Sequence, residues 1–259
     1  MTSHEFERIL KKLKGHGHYV YLHIKGEPML HPEFFEILEI CRHYDMKVNL
    51  TTNGTLLEGK IEQLVQAKAL RQVSFSLQSQ ENQGNVLEFD AYMTHILSLI
   101  KRGIETSDIL FELRLWNYEG QASDASFKKN TNALTYIKDQ LKVDEATIEG
   151  IPMGQGRKLM PQVYLSKAVE FAWPDINLEV ISSKGTCYGL RQQVGILVNG
   201  DVVPCCLDSE GGIILGNIFE QEFEAIVTSD RAKAMVEGFE QGVIKEALCQ
   251  RCGYRSRFS

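Results

Sequence analysis

The segment CYGLRQQVGILVNGDVVPCC (residues 187–206) begins with Cys187 and ends with Cys205 and Cys206, and the segment CQRC (residues 249–252) adds two more cysteines. Within the first segment, Asn199-Gly200 stands between alternating apolar residues. This pattern predicts a β-hairpin with a two-residue turn in which both turn residues have positive φ. Such a hairpin folds the second cysteine back toward the first. We therefore expect four thiols to converge on one site: Cys187, Cys205, Cys249 and Cys252.

The spacing of these cysteines indicates a metal centre, because Cys-x-x-Cys allows two thiolates to bind the same centre. An iron–sulfur cluster and a tetrahedral zinc ion both fit four such thiols, and the residues alone leave both interpretations open. The remaining cysteines are Cys41, which falls in a helical pattern, and Cys206, which should point away from its neighbour. Both are interpreted as small apolar residues.

The composition is that of an ordinary soluble globular protein. The chain has 259 residues, a net charge of -6, 43% hydrophobic and 24% charged residues. No basic stripe is present, so nucleic-acid and membrane-surface binding are not predicted. The N-terminus has no apolar signal-peptide core and no stretch is long and apolar enough to span a membrane. We expect a cytoplasmic protein, in which thiols stay reduced and disulfides are disfavoured.

Helical and strand-like patterns alternate over the first 150 residues, which predicts an α/β fold with parallel strands and right-handed crossover helices. The first helix follows a capping-box pattern at Thr2 and Glu5. The predicted strands are residues 19–24, 48–52, 73–77, 109–116 and 146–151, and the predicted helices include residues 34–41, 61–65, 92–100 and 134–141.

Polar and glycine-rich residues follow several of these predicted strands. They are Gly26-Glu27-Pro28, Thr52-Asn53-Gly54, Ser76 to Gln80, and Asn117. In parallel α/β folds the loops at the carboxyl ends of the strands build the functional site. Because several such loops share one edge, the sequence predicts a binding site there.

The stretches KGEPMLHPEF (residues 25–34) and NLTTNGTLL (residues 49–57) resemble motifs of the radical S-adenosylmethionine superfamily. The segments around the four cysteines, with GNIFEQEFEAI (residues 216–226), resemble its C-terminal auxiliary-cluster domain, called SPASM, or twitch when shortened. The resemblance implies a partial (β/α)6 TIM-like barrel over residues 1–180, lacking its first strand. A small β-hairpin and helix domain that binds a cluster is implied over residues 181–259.

The resemblance also implies roles for individual residues. The four cysteines would hold one auxiliary [4Fe-4S] cluster with every iron ligated. The expected substrate is a peptide or a small molecule, and the expected reductant is a flavodoxin or a ferredoxin. The expected chemistry is hydrogen abstraction by a 5′-deoxyadenosyl radical, with oxidation or modification of the substrate. S-adenosylmethionine would be bound by Gly26, Glu27, Pro28, Thr52, Asn53, Ser76 and Arg114.

Two departures from the family pattern are evident. Lys25 replaces the first glycine of the Gly-Gly-Glu-Pro motif, and no cysteine precedes Cys41, so the Cys-x-x-x-Cys-x-x-Cys motif is absent. We expect Met1 to be an internal methionine of a longer protein, which would supply the missing strand and a second [4Fe-4S] cluster. The alternative is a catalytically inactive scaffold that binds a single cluster or zinc, so the sequence leaves enzyme and non-enzyme both open.

Overall fold

The computed structural model describes residues 1–77, 88–116, 125–169 and 171–258. The contacts between residues divide the chain into two compact units. The first, here called the cysteine unit, comprises Met1–His16, Ile24–Gly26 and Phe171–Ser259, and the second, the sheet unit, comprises Gly17–His23 and Glu27–Glu170. The domain boundary expected between residues 180 and 181 stays a prediction, since each compact unit here is assembled from separate stretches of the chain.

Eight α-helices and nine β-strands lie within the described residues. The helices are α1 (Ser3–Lys12), α2 (Phe34–His43), α3 (Ile61–Gln66), α4 (Phe89–Thr106), α5 (Ala125–Leu141), α6 (Glu145–Glu149), α7 (Phe223–Val227) and α8 (Asp230–Glu240). The strands are β1 (Tyr19–Tyr21), β2 (Lys47–Thr52), β3 (Leu70–Ser76), β4 (Leu110–Leu115), β5 (Gln155–Met160), β6 (Val163–Lys167), β7 (Gly195–Ile196), β8 (Asp201–Val203) and β9 (Gly216–Asn217). None of these helices has the length and apolar character needed to cross a bilayer.

The sheet unit contains a six-stranded sheet in the order β1-β2-β3-β4-β6-β5. Every neighbouring pair is parallel except β5 and β6, which are antiparallel. The mainly parallel α/β architecture predicted from the alternating pattern is therefore confirmed. Since the carboxyl ends of parallel strands meet at one edge, β1 to β4 present their following loops together.

The two faces of this sheet differ in character because successive side chains of a strand point to opposite faces. On one face apolar residues such as Val73, Phe75 and Phe111 are fully buried. Phe111 packs against α4, where a Cβ added at Gly103 would lie 2.3 Å from its ring. The other face is polar and forms a hydrogen-bonded network across the strands.

One predicted strand is wrong, because residues 146–151 contain the short helix α6 instead. The parallel neighbour of β4 is β6, which begins at Val163. Ile148 and Ile151 are both buried, and so short an apolar run fits a helical turn as well as a strand. The strand expected over residues 19–24 is real but short, since β1 ends at Tyr21.

The hairpin predicted in the cysteine unit is present, as β7 and β8 pair in antiparallel fashion, but its turn differs from the prediction. The amide of Gly200 donates to the carbonyl of Leu197 at 2.9 Å, and that of Leu197 donates to Asp201 O at 2.9 Å. Gly200 has φ 90°, whereas Asn199 is not among the residues with positive φ. The connection is therefore a three-residue loop ending in a left-handed glycine.

Helix α1 begins as its capping box predicts, with the Thr2 hydroxyl accepting from the Glu5 amide and the Glu5 carboxylate accepting from the Thr2 amide. Its apolar side joins a cluster in the cysteine unit formed by Ile9, Val202, Ile218, Phe223 and Ile226. The N-terminal helix is thus built into the core of the unit that carries the four predicted cluster cysteines.

Candidate cluster and cofactor sites

The four predicted cysteine ligands lie on three backbone segments of the cysteine unit that are tied together. The amide of Leu190, three residues after Cys187, donates to Pro204 O at 3.2 Å, and Pro204 immediately precedes Cys205. Cys249 begins a 3₁₀ turn, and the Cys252 amide donates to Cys249 O at 3.3 Å. Cys187 and Cys249 also pack against one shared apolar cluster, formed by Ile213, Met235, Phe239 and Ile244.

The electrostatics of the thiols reflect this convergence. Burial, with smaller contributions from the charges of Cys206 and Cys187, raises the pKa of Cys205 to about 12. Burial also raises the pKa of Cys249, and the charges of Cys205, Cys187 and Cys252 add to that effect. Thiolates held this close disfavour one another, and a bound metal centre would reverse the balance by supplying positive charge.

Backbone amides point at three of the sulfurs, an arrangement that stabilises bound thiolates and tunes a cluster. The Gly189 amide donates to Cys187 Sγ at 3.4 Å. Burial raises the pKa of Cys252, and hydrogen bonds from backbone amides oppose that rise. The amides that lower the thiol pKa are those of Leu207 and Asp208 for Cys205 and those of Arg255 and Tyr254 for Cys252.

The spacing of the thiols bears on which metal centre they fit. Among the described residues, no three His, Cys, Asp or Glu side chains stand close enough to hold a single metal ion. A zinc site needs every sulfur about 2.3 Å from one ion, whereas a four-iron cluster gives each thiolate its own iron. A single zinc ion would therefore require the sulfurs to lie closer together than they do among the described residues.

The edge of the sheet unit at the ends of β1 and β2 is organised by the carboxylate of Glu27. Its Oε1 accepts hydrogen bonds from the Met29 amide at 3.0 Å and from Thr52 Oγ1 at 2.8 Å. Its Oε2 accepts from the Asn53 amide at 2.7 Å. We call Glu27, Met29, Thr52 and Asn53 the Glu27 clamp, since the carboxylate ties the loop after β1 to the loop after β2.

A second set of bonds fixes the clamp from behind. The Asn53 carboxamide oxygen accepts from the Thr55 amide at 2.9 Å, and the Tyr92 hydroxyl donates to Asn53 O at 2.8 Å. Tyr92 is almost fully buried, and burial, with a further contribution from the charge of Glu27, raises its pKa. The side chains of Glu27, Thr52 and Asn53 therefore hold the two loops in shape.

A positively charged group lies at the same edge on β4. Arg114 is the register partner of Ser76, the last residue of β3, and its Nη1 donates to Thr51 Oγ1 at 3.4 Å. The guanidinium carbon lies 3.5 Å from the centroid of the Trp116 ring. His23 is neutral, because burial, assisted by the charge of Arg114, lowers its pKa to about 4.

The structure brings together most of the cofactor residues predicted from the sequence. Glu27, Thr52 and Asn53 are in direct contact, and Ser76 pairs with Arg114 in the sheet. Pro28 opens the 3₁₀ turn Pro28–Leu30 that Glu27 caps. Gly26 has φ 90°, a conformation that favours glycine, and belongs by contacts to the cysteine unit, where Lys25 forms an ion pair with Glu210.

The sequence pattern places His23 and Trp116 in predicted strands and Tyr92 in a predicted helix, and it does not identify any of them as part of this edge. No local pattern distinguishes an apolar helix residue such as Tyr92 from one whose hydroxyl supports a loop. Residues 78–80 and Asn117, also predicted for this edge, lie outside the described residues.

Two further observations concern known proteins. The model of the radical SAM superfamily matches residues 1–113, and the SPASM model, described as an iron-sulfur cluster-binding domain, matches residues 187–253. No curated protein matches the sequence. The first match ends within β4, and the second contains all four predicted cluster cysteines.

Several solved structures share the fold. Streptococcus suis SuiB bound to precursor peptide SuiA has 17% identity and a TM-score of 0.58, with 100% of this chain and 64% of SuiB covered. BtrN in complex with AdoMet and 2-DOIA has 15% identity and a TM-score of 0.50, with 97% and 80% covered. AnSMEcpe with bound AdoMet has 16% identity and a TM-score of 0.53, with 100% and 75% covered. The two family matches together span more than half of the chain, and the protein belongs to the radical S-adenosylmethionine superfamily, with a C-terminal SPASM domain.

Proposed function

We propose that the protein binds one auxiliary [4Fe-4S] cluster and S-adenosylmethionine, and that it serves radical-based oxidation or modification of a peptide or small molecule. One observation carries the proposal: four half-buried thiols, two of which contact the same apolar cluster, lie within the segment that matches a cluster-binding domain. The ligands are Cys187, Cys205, Cys249 and Cys252. The electron source is a flavodoxin or a ferredoxin, and the reducing cytoplasm is the location that suits thiolate ligands.

The residues around the cluster have defined tasks in this proposal. A cluster whose four irons are all ligated by thiolates supplies electron transfer or positions a substrate. The chain half-buries the cysteines and directs backbone amides at their sulfurs, from Gly189 to Cys187 and from Leu207 and Asp208 to Cys205. These amides favour the negatively charged form of each ligand and so support a cluster held by thiolates.

The edge of the sheet unit suits the amino-acid end of S-adenosylmethionine. Its carboxylate matches a guanidinium, which donates in a fixed fork geometry, and Arg114 supplies that group. Backbone carbonyls at the loop ends, positioned by the Glu27 clamp, suit its ammonium group. His23 beside Arg114 stays neutral because its pKa is about 4, so it adds no second positive charge.

The substrate class is proposed from two neighbours in fold. SuiB is described as bound to a precursor peptide, and BtrN as bound to AdoMet and 2-DOIA. Both peptide and small-molecule substrates therefore remain within the proposal.

A second candidate function is cluster binding without catalysis. It is favoured by one observation, the absence of a Cys-x-x-x-Cys-x-x-Cys motif in this sequence, where the first cysteine is Cys41. The reductive cleavage of S-adenosylmethionine in this superfamily needs those three thiolates. We therefore expect this chain, expressed alone, to bind one cluster and to form no 5′-deoxyadenosine with a chemical reductant.

Two neighbouring cysteines provide a matched pair for the test. We expect the anaerobically reconstituted protein to hold about four irons and to absorb light at about 400 nm. Cys205→Ala should lose most of the iron and most of the absorbance. Cys206→Ala, which removes the adjacent thiol, should keep both the iron and the absorbance. Equal iron content in the two variants would contradict the ligand assignment. A colourless, zinc-loaded anaerobic preparation would contradict the cluster, and 5′-deoxyadenosine above background would remove the non-catalytic alternative.

A further inference from the structure

A carboxylate lies at the middle of the polar face of the sheet unit. Glu112, on β4, accepts hydrogen bonds from Ser74 Oγ at 2.8 Å and Ser166 Oγ at 2.9 Å. The Gln72 amide nitrogen donates to it at 3.4 Å. The donors come from β3 and β6, the strands on either side of β4, and all of them are neutral.

The charge of Glu112 has no direct counter-ion among the described residues, since none of their Lys, Arg or His side chains forms an ion pair with it. Arg71 is the nearest cation in its hydrogen-bond network, and its Nη1 donates to Gln72 Oε1 at 3.4 Å and to Asn49 Oδ1 at 3.1 Å. The amide of Gln72 thus stands between the guanidinium and the carboxylate. A half-buried carboxylate with only neutral donors attracts a cation, because charged hydrogen bonds are stronger than neutral ones.

A cavity of about 260 Å³ opens beside this carboxylate. Its lining residues are Gln72, Leu110, Phe111, Glu112, Gly156 and Tyr164. Ligand pockets usually measure about 300–1,000 Å³, so this cavity fits a single functional group on a short carbon chain. At Gly156 an added Cβ would come within 3.5 Å of the Ser166 side chain, so the glycine leaves room beside the carboxylate.

Tyr164 completes the recognition chemistry of the cavity. It is the register partner of Glu112 on β6, and its hydroxyl makes no hydrogen bond with a described residue. A phenol ring attracts a cation near its face, and its hydroxyl oxygen accepts a hydrogen bond. The carboxylate and the phenol together match a group that has both positive charge and several N–H donors.

We propose that this cavity, here called the Glu112 pocket, binds a primary ammonium group carried on a short carbon chain. Glu112 neutralises the ammonium and accepts hydrogen bonds from its N–H groups, and Tyr164, its register partner on β6, lines the pocket beside it. The ammonium belongs to a lysine-like side chain of a peptide or to a small amine, two sources with the same chemistry.

The position of the pocket relates it to the proposed cofactor site. Glu112 precedes Arg114 by two residues on the same face of β4, which is about 7 Å along a strand. An ammonium group in the pocket would therefore lie further from the carboxyl end of β4 than Arg114, on the same face of the sheet as the proposed S-adenosylmethionine site. The role of this group as part of a substrate rests on the proposed function, whereas the binding of an ammonium by Glu112 does not.

The test is a titration of the full chain with n-butylammonium, followed by calorimetry or by ligand-observed NMR. Saturable binding is expected, and Glu112→Gln should weaken it by about tenfold or more, the range of a charged hydrogen bond. Glu105→Gln removes the same charge at an exposed position outside the pocket and should leave the affinity unchanged. In the wild-type chain n-butanol and butyrate should bind at least about tenfold more weakly. Comparison with an N-acetyl-lysine amide distinguishes a peptide source, which should bind more tightly, from a small amine.

Absence of saturable binding, equal affinity in Glu112→Gln, or equal binding of n-butanol would overturn the proposal. If Glu112→Gln does not fold, the affinities of the wild-type chain for n-butylammonium, n-butanol and butyrate decide the question, because that comparison needs no substitution in the pocket. The titration requires neither the cluster nor S-adenosylmethionine. Ammonium binding without iron uptake would therefore refute the proposed function alone, and iron uptake without ammonium binding would refute this inference alone.

Discussion

Substitution of Glu27 tests whether this carboxylate acts on the cofactor directly or through the loops that it holds. In Glu27→Gln, the side-chain oxygen still accepts from Met29 and Thr52, but the new NH₂ group faces the Asn53 amide. One charged hydrogen bond is lost and a buried donor remains unsatisfied. In Glu27→Ala all three bonds are lost, and both loops lose their connection.

The expected magnitudes follow from those bonds. A lost hydrogen bond to a charged group costs about 1.5–3 kcal/mol of the free energy of unfolding, and we expect Glu27→Gln to fall in that range. Glu27→Ala should cost about 3 kcal/mol or slightly more, because contributions within one network do not add. Losses of that size are a large fraction of the about 5–15 kcal/mol that stabilises a typical domain.

The assay combines denaturant unfolding with the affinity for S-adenosylmethionine, measured by calorimetry. Glu58→Gln, at an exposed loop position, is the charge control and should change stability by less than about 0.5 kcal/mol. Thr52→Val removes one donor of the clamp and keeps the Glu27 charge, so it should lower both stability and affinity. The reasoning is refuted if Glu27→Gln weakens binding with unchanged stability while Thr52→Val has no effect on binding.

Two further predictions concern the stability of the sheet unit. His23 has a folded pKa of about 4 against 6.5 when exposed, so its neutral form stabilises the fold above about pH 6.5, and this contribution disappears as the pH falls toward 4. His23→Gln should reduce the acid-induced loss in the free energy of unfolding by up to about 3 kcal/mol. If the pH dependence of urea unfolding is the same in this variant, the lowered pKa of His23 is contradicted. Gly103→Ala places a Cβ 2.3 Å from the Phe111 ring, which should cost about 1–3 kcal/mol despite the better helix propensity. Lys101→Ala on the exposed side of α4 should be nearly neutral in the same thermal melts, and equal melting temperatures for the two variants would disprove the contact.

The predictions from sequence succeeded where the signal is local or strictly periodic. The capping box fixed the start of α1, and the alternation of apolar residues located β2, β3 and β4. Because the predicted strands are parallel, their carboxyl ends lie at one edge, whereas the register that pairs Ser76 with Arg114 is seen only in the structure. The shared edge of the candidate cofactor site was therefore predictable.

The predictions that failed concern local structure that is determined by contacts with residues distant in the sequence. The apolar run at residues 146–151 is too short to separate helix from strand, and the neighbour of β4 is set by pairing with β6. The Asn199-Gly200 turn is also decided by packing, since a Cβ at Gly200 would lie 2.4 Å from the Phe219 ring. Both outcomes depend on contacts that no local pattern records.

Glu27 illustrates the same limit at the candidate site. Its type and position were predicted, but its bonds go to Thr52 and Asn53, 25 and 26 residues further along the chain. The sequence pattern therefore locates a carboxylate at the edge of the sheet without revealing that its oxygens are engaged by the protein itself.

The placement of α1 has a consequence for synthesis on the ribosome. This helix is made long before its partners, since Lys12 Nζ donates to the carbonyl of Gln221, which lies 209 residues later. A ten-residue helix alone is marginal in water, so the apolar side of α1 must stay uncovered until its partners, as far as Ile226, have been synthesised. Contacts so distant in sequence slow folding and leave a nascent chain exposed to aggregation. The cysteine unit can therefore be completed only late in its synthesis, and a chaperone that shields α1 in the meantime would raise the yield of protein able to take up a cluster.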